Sequence, residues 1–156
     1  MALLRRVARP MLASMYIVGG IDTLRTAKDK APLVEPVVQR ISDALPEQAP
    51  KDTVTLVRID GAVKTGAGAL LAIGKFPRLA ALALAGSTVP TTVAAHAFWQ
   101  ESDPAVRAQQ KVHFFKNLSM LGGLLIAAAD TAGKPSLGYR ARRAVGHVGG
   151  RAQGAA

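Results

Sequence analysis

The amino-acid sequence predicts an all-α protein: a four-helix transmembrane bundle, up-down-up-down, with an extra amphipathic helix in the first outer connection. Three observations lead there. Four apolar segments, residues 7–24, 55–74, 77–96 and 112–129, each run 18 to 20 residues. That length crosses a hydrocarbon core about 30 Å thick at about 1.5 Å per residue. The composition agrees, with 49% hydrophobic residues and a mean hydropathy of +0.21 beside a net charge of +10. So basic a balance in a soluble domain would point to nucleic acid, but here the charges are sorted. Arg5, Arg6 and Arg9 precede segment one, Lys75 and Arg78 flank the turn between segments two and three, and Lys134, Arg140, Arg142, Arg143 and Arg151 follow segment four, with Asp130 against them. The other two connections are balanced in sign. Excess positive charge on every second connection is the positive-inside pattern of four spans with both termini cytoplasmic. The expected setting is therefore the plasma membrane and its lipid bilayer, with no nucleic-acid partner.

Segment one runs from Val7 to Asp22 and carries its acid last. Its arginine-rich start resembles a signal peptide, yet no small-x-small cleavage site stands before Asp22, so it is expected to stay as an anchor. The first outer connection, roughly 25–54, is long and hides a helical period: Leu33, Val34, Val37, Val38, Ile41, Ala44 and Leu45 share one face. Pro32 and Pro36 bracket its start and Leu45-Pro46 ends it. Too short to span, it is expected to lie on the outer interface, to cap the bundle, or to pack as an ordinary loop helix.

Segment two opens with Arg58, Asp60 and Lys64 and then turns small and apolar. Asp60 and Lys64 stand four apart with the acid first, the favourable order for a helical ion pair. Lys64 lies about 15 Å inside the segment's outer end, too deep for easy snorkelling, so it must face the interior. The turn Gly74-Lys-Phe-Pro77 makes segments two and three antiparallel neighbours. Segment three is uncharged from Leu79 to His96, with Pro90 set among Ser87, Thr88, Thr91 and Thr92, whose hydroxyls can serve the carbonyl freed near Gly86. Trp99 fits an interfacial anchor. Ser102 or Asp103 is the expected N-cap of segment four, with Pro104 in its first turn. The segment begins polar, with His113, Lys116 and Asn117, and ends apolar; Leu125 is expected to serve stability alone. Small residues four apart (Ala62 and Gly66, Ala81 and Ala85, Ser119 and Gly123) suit close helix contacts. One domain over 1–140 and a flexible basic cytoplasmic tail over 141–156 complete the plan.

An up-down-up-down order places Asp22, Arg58, Asp60, Lys64, His96, His113, Lys116 and Asn117 in the outer half. Ionisable residues inside membrane helices are costly unless paired or wetted, so their gathering there is a candidate site. The chain has no cysteine, which excludes disulfides, thiolate metal ligation and sulfur relay by the chain itself. No zinc spacing is present and no metal site is expected. Two histidines on neighbouring helices could ligate haem iron, but nothing else in the sequence supports haem.

Several short motifs resemble the DoxX family: Arg9-Pro10, Gly19-Gly20-Ile21-Asp22, Arg58-Ile59-Asp60-Gly61-Ala62, Phe76-Pro77-Arg78-Leu79-Ala80, Val89-Pro90-Thr91-Thr92, His96-Ala97-Phe98-Trp99 and His113-Phe114-Phe115-Lys116-Asn117-Leu118. The resemblance covers residues 7 to 140 and is strongest to the actinobacterial type. It implies a membrane subunit of a quinone-linked or redox-stress oxidoreductase system, since the family takes its name from a thiosulfate:quinone oxidoreductase subunit. A quinone is the cofactor so implied. Three function classes follow. As an oxidoreductase subunit, the outer cluster would touch a quinone head group or sulfur oxyanion, with Lys64, Lys116 and Arg58 giving charge, Asn117 a hydrogen bond, and His96 or His113 a proton route. A non-catalytic scaffold would recruit a partner redox enzyme instead. A small-anion or proton transporter would need more than four short helices, hence a homo-oligomer.

Overall fold

Each apolar segment forms one α-helix, and the first connection forms another. The structure, a computed structural model, describes residues 2–42, 50 and 52–130. Its helices are α1 (Ala2–Arg25), α2 (Ala27–Ser42), α3 (Thr53–Ala72), α4 (Pro77–Ala95) and α5 (Pro104–Ala129), with a short 3-10 turn at Phe98–Gln100. The described residues contain no strand.

Local chemistry sets the ends. Asp52 caps α3 by accepting the Thr55 amide at 2.8 Å, and Asp103 caps α5 by accepting those of Ala105 and Val106, with Pro104 in the first turn. At the end of α3 the Gly74 amide reaches the Leu71 carbonyl and the Lys75 amide the Leu70 carbonyl, with Gly74 at φ +72°. This is the Schellman arrangement, and it needs a left-handed residue where the chain supplies glycine. Pro77 then opens α4.

Side-chain pairs give the direction of every neighbour. Gly20 faces Gly61 while Ile17 faces Gly68, so α1 and α3 run antiparallel. Asn117 bonds Thr92 while Arg78 bonds the Ala128 carbonyl, so α4 and α5 do too. The tight turn does the same for α3 and α4. The tightest crossing is α1 on α3: a Cβ at Gly20 would stand 2.8 Å from the Gly61 carbonyl oxygen and 2.8 Å from the Thr65 amide nitrogen. Segment two's contact residues are therefore Gly61, Thr65 and Gly68, whereas the expected pair Ala62 and Gly66 is exposed. Both sets recur at near-helical spacing in a small-residue segment, and spacing alone does not say which stripe meets a neighbour.

The core lies toward one end. Ala13, Leu71, Ala81, Leu84 and Leu124 are fully buried, with Ala80, Ala85 and Ala128 around them. Beyond them Arg5 and Arg9 both hold Asp130, at 2.9 and 3.2 Å, and join α1 to the end of α5. Leu125 is 54% exposed and Leu124 is the buried neighbour, because the helix turns them to different sides.

Two stretches of the described residues are long and apolar enough to cross a membrane by length and composition, Pro77–Gln100 and Pro104–Ala129. Helices α1 and α3 fall short of that mark because arginines and acids sit near their ends and Arg58, Asp60 and Lys64 fall within one stretch of α3. Helix α2 starts earlier than its sequence suggests: Pro32 and Pro36 lie inside it, both on the exposed side. Its buried Ala27 and Ala31 and its valines pack against the bundle, and Leu33 is 72% exposed. Ala44, Leu45, Pro46 and the tail 141–156 lie outside the described residues.

Candidate functional site

At the end away from the packed core the helices enclose a cavity of about 550 Å³ bounded by all five. That volume lies within the roughly 300–1,000 Å³ common for small-molecule sites, and the mixture of apolar wall with a few polar groups is typical of them. The valines Val34, Val37 and Val38 of α2 form one wall; Met15, Leu56, Val57, Pro90, Ala94 and Met120 form much of the rest. Six of the eight residues singled out in the sequence line it: Asp22, Asp60, Lys64, His96, Lys116 and Asn117.

The carboxylates are engaged. Asp60 accepts Lys64 at 2.7 Å across one helical turn, and its second oxygen accepts the Ser87 hydroxyl from α4. The pair therefore ties α3 to α4 as well as neutralising itself, and both side chains are mostly covered. Asp22, largely exposed, receives Lys30 of α2, which also reaches the Thr23 hydroxyl at 3.4 Å. Arg58, expected in the cluster, is exposed, borders no part of the cavity, and lies within electrostatic reach of Asp52. It stands on the outer face of α3, while α2 folds back and brings Lys30 to the end of α1. Lys30 was missed because its charge fell among balanced loop charges.

The other half of the site joins α4 to α5. The His96 ring nitrogen Nδ1 lies 2.7 Å from the Gln110 side-chain oxygen, which can only accept, so the Nδ1 of His96 carries the proton. The His113 Nδ1 lies 3.3 Å from the Lys116 ammonium, which can only donate, so that nitrogen is bare and the proton of neutral His113 sits on Nε2. The two imidazoles stack with centroids 5.2 Å apart and planes 25° apart. His113 does not itself line the cavity; His96 does, and the stack links them. Rings stacked this way do not present nitrogens to opposite faces of a haem iron. Among the described residues no three histidines or carboxylates gather as a metal site would require. Asn117 donates its amide to Thr92 at 3.1 Å, so part of its capacity goes to holding the helices together.

A hydroxyl ladder completes the wall. Thr88 donates to the Leu84 carbonyl at 2.6 Å, which leaves its oxygen to accept the Tyr16 phenol at 3.1 Å. Thr91 and Thr92 donate to the carbonyls of Ser87 and Thr88. The hydroxyls around Pro90 thus serve Leu84, Ser87 and Thr88, not Gly86 as the spacing had suggested. Tyr16, Thr88 and Thr91 line the cavity yet carry no charge to mark them in the sequence. Beside the site, Phe98, Trp99, Phe114 and Phe115 form an edge-to-face aromatic cluster, with Trp99 about half exposed.

No curated protein and no solved structure matches the chain. The DoxX family model matches residues 4–97, which hold nearly all of α1, the whole of α2 to α4 and His96 but stop short of α5. That match extends over more than half of the sequence, and the apolar α4 and α5 agree with membrane residence: the chain belongs to the DoxX family of membrane proteins.

Proposed function

We propose that this chain is a multi-pass plasma-membrane protein that crosses the bilayer with α1, α3, α4 and α5 and keeps both termini cytoplasmic. Its cavity would bind an electron-rich ligand for a quinone-linked or redox-stress oxidoreductase system, in which the chain serves as a membrane subunit. The observation that carries the ligand reading is the cavity itself: all five helices border it, and its wall holds Lys30, Lys64 and Lys116 against Asp22 and Asp60. One positive charge is left over with the histidines neutral, which favours a carbonyl or oxyanion over a cation. Four crossings are supported by apolar side chains exposed on every long helix, among them Val7, Met11 and Val18 on α1 and Ile59, Val63 and Leu70 on α3. Contiguous exposed apolar surface marks a membrane or partner contact. The paired charges of α3 then face the cavity, and the aromatic cluster sits where an interfacial belt would.

Two experiments test this. A reporter active only outside the cytoplasm should stay silent when fused at Ala156 and respond when placed in the connection between α2 and α3; a signal from Ala156 overturns the topology. Quinone should be extractable from the purified protein, or quinone-dependent turnover measurable with its partner, and joint loss of Lys116, Asn117 and His113 should abolish it while insertion persists. Survival of binding in that triple variant makes the cluster structural, and a scaffold that recruits a redox enzyme becomes the better reading.

A further inference from the structure

We infer that Lys116 is the group that receives the ligand, and that the cavity selects a largely apolar molecule that presents one carbonyl or carboxylate group to it. The inference rests on the cavity being a ligand site, and it divides the cavity's three lysines by their partners. Lys30 is held by Asp22 and Lys64 by Asp60. Among the described residues the ion pairs are these two and those of Asp130 with Arg5 and Arg9; Lys116 is in none of them. The recorded partner of the Lys116 ammonium is the His113 nitrogen, an uncharged acceptor. Lys116 is half-buried on the cavity wall, and an ammonium there without a counter-charge is free to take an oxygen of the ligand.

The same charge pattern limits the ligand. A doubly charged oxyanion needs a second cation, and recruiting Lys64 or Lys30 strips a carboxylate of its partner inside the site. One spare cation suits one carboxylate or one carbonyl. The remaining wall is mostly apolar, and a volume of about 550 Å³ is much more than a bare oxyanion fills. An apolar body against Val37, Val38 and Met120 uses that space without leaving polar groups unpaired.

The test is calorimetric titration of the protein in lipid nanodiscs, with empty nanodiscs as the reference, using menadione, decanoate and thiosulfate as probes. The expected result is binding of menadione or decanoate but not thiosulfate, and whichever binds shows whether the head is a carbonyl or a carboxylate. Lys116→Met, which keeps the chain length, should weaken that binding roughly tenfold or more, and Lys116→Arg should restore it to within about threefold. Removing Asp60 and Lys64 together should weaken it less than Lys116→Met does. Melting temperatures taken on the same samples show which variants are folded, and Lys116→Gln replaces Lys116→Met if the latter is not. Preferred binding of thiosulfate, or unchanged affinity in the folded Lys116 variant, overturns the inference and leaves the cavity reading standing. No binding of any probe to the unaltered protein overturns both.

Discussion

The Asp130 end and the His96 end of the bundle are built from the same four long helices with the same antiparallel neighbours, yet they are opposite in content. At the first, Leu71, Leu84 and Leu124 interlock with alanines and no side chain of the three is accessible. At the second, α1 still presses on α3 at Gly20 and Gly61, but the other helices stand around a cavity and are tied across it by polar side chains. Helices of similar length can therefore pack closely all round at one end and leave a cavity among some of them at the other. The packed end fixes the separation; the polar end can then carry charges that a filled interior would not accept. Helix α2 belongs to the second end alone, where its valines supply the wall that the four long helices leave open.

The contrast can be broken by mutation, and the largest effect belongs to the packed end. Leu124→Ala should destabilise the bundle by about 2–5 kcal/mol in a detergent melt, because it opens a cavity among residues that cannot collapse. Leu125→Ala, one position along and facing outward, should change the melt little. Equal effects would mean that α5 is rotated from the position described.

Gly20 sharpens the boundary between the two ends. Gly20→Ala should cost about 1–3 kcal/mol, since the new carbon meets the backbone of α3 and the helices must separate. Gly66→Ala meets nothing within 4 Å and should be neutral or slightly stabilising. If Gly20→Ala is tolerated as readily as Gly66→Ala, the close α1–α3 crossing is wrong.

At the cavity end the expected loss has a different sign pattern. Lys64→Ala alone strands the Asp60 carboxylate with the Ser87 hydroxyl as its remaining recorded donor, and should destabilise by about 1–3 kcal/mol. Lys64→Ala with Asp60→Ala should be less harmful than the single change. A double variant that melts lower than Lys64→Ala shows that the two residues are not partners.

The smallest effect is one of pH. The Thr55 hydroxyl and amide both donate to Asp52 and hold its carboxyl below the usual carboxylate value. A carboxyl lowered in the folded state stabilises above its unfolded pKa, and that contribution fades as pH falls through the folded one. Acidification below about pH 4 should therefore lower the melting temperature slightly more in the unaltered protein than in Asp52→Ala. Identical acid sensitivity would remove Asp52 from the account of the α3 start.

Much of this was legible in the linear sequence. Apolar length, a tight Gly-Lys-Phe-Pro turn and the cap before Pro104 are local properties, and they set the long helices and their alternation. The i,i+4 placement of Asp60 and Lys64 is local as well, and so is the period of the α2 valines. What decided the rest is which residues of distant helices meet. Arg58 and Lys64 lie less than two turns apart, yet one is outside and the other borders the cavity, because the rotation of α3 is set by Gly20 pressed on Gly61. Lys30 joins Asp22 through the fold-back of α2, and Tyr16 and Thr88 meet across the bundle. The sequence determined the helices and the end at which their charges collect. Tertiary packing alone decided which charges are paired, because pairing depends on the rotation and separation of helices, and close contacts between residues far apart in the chain set both.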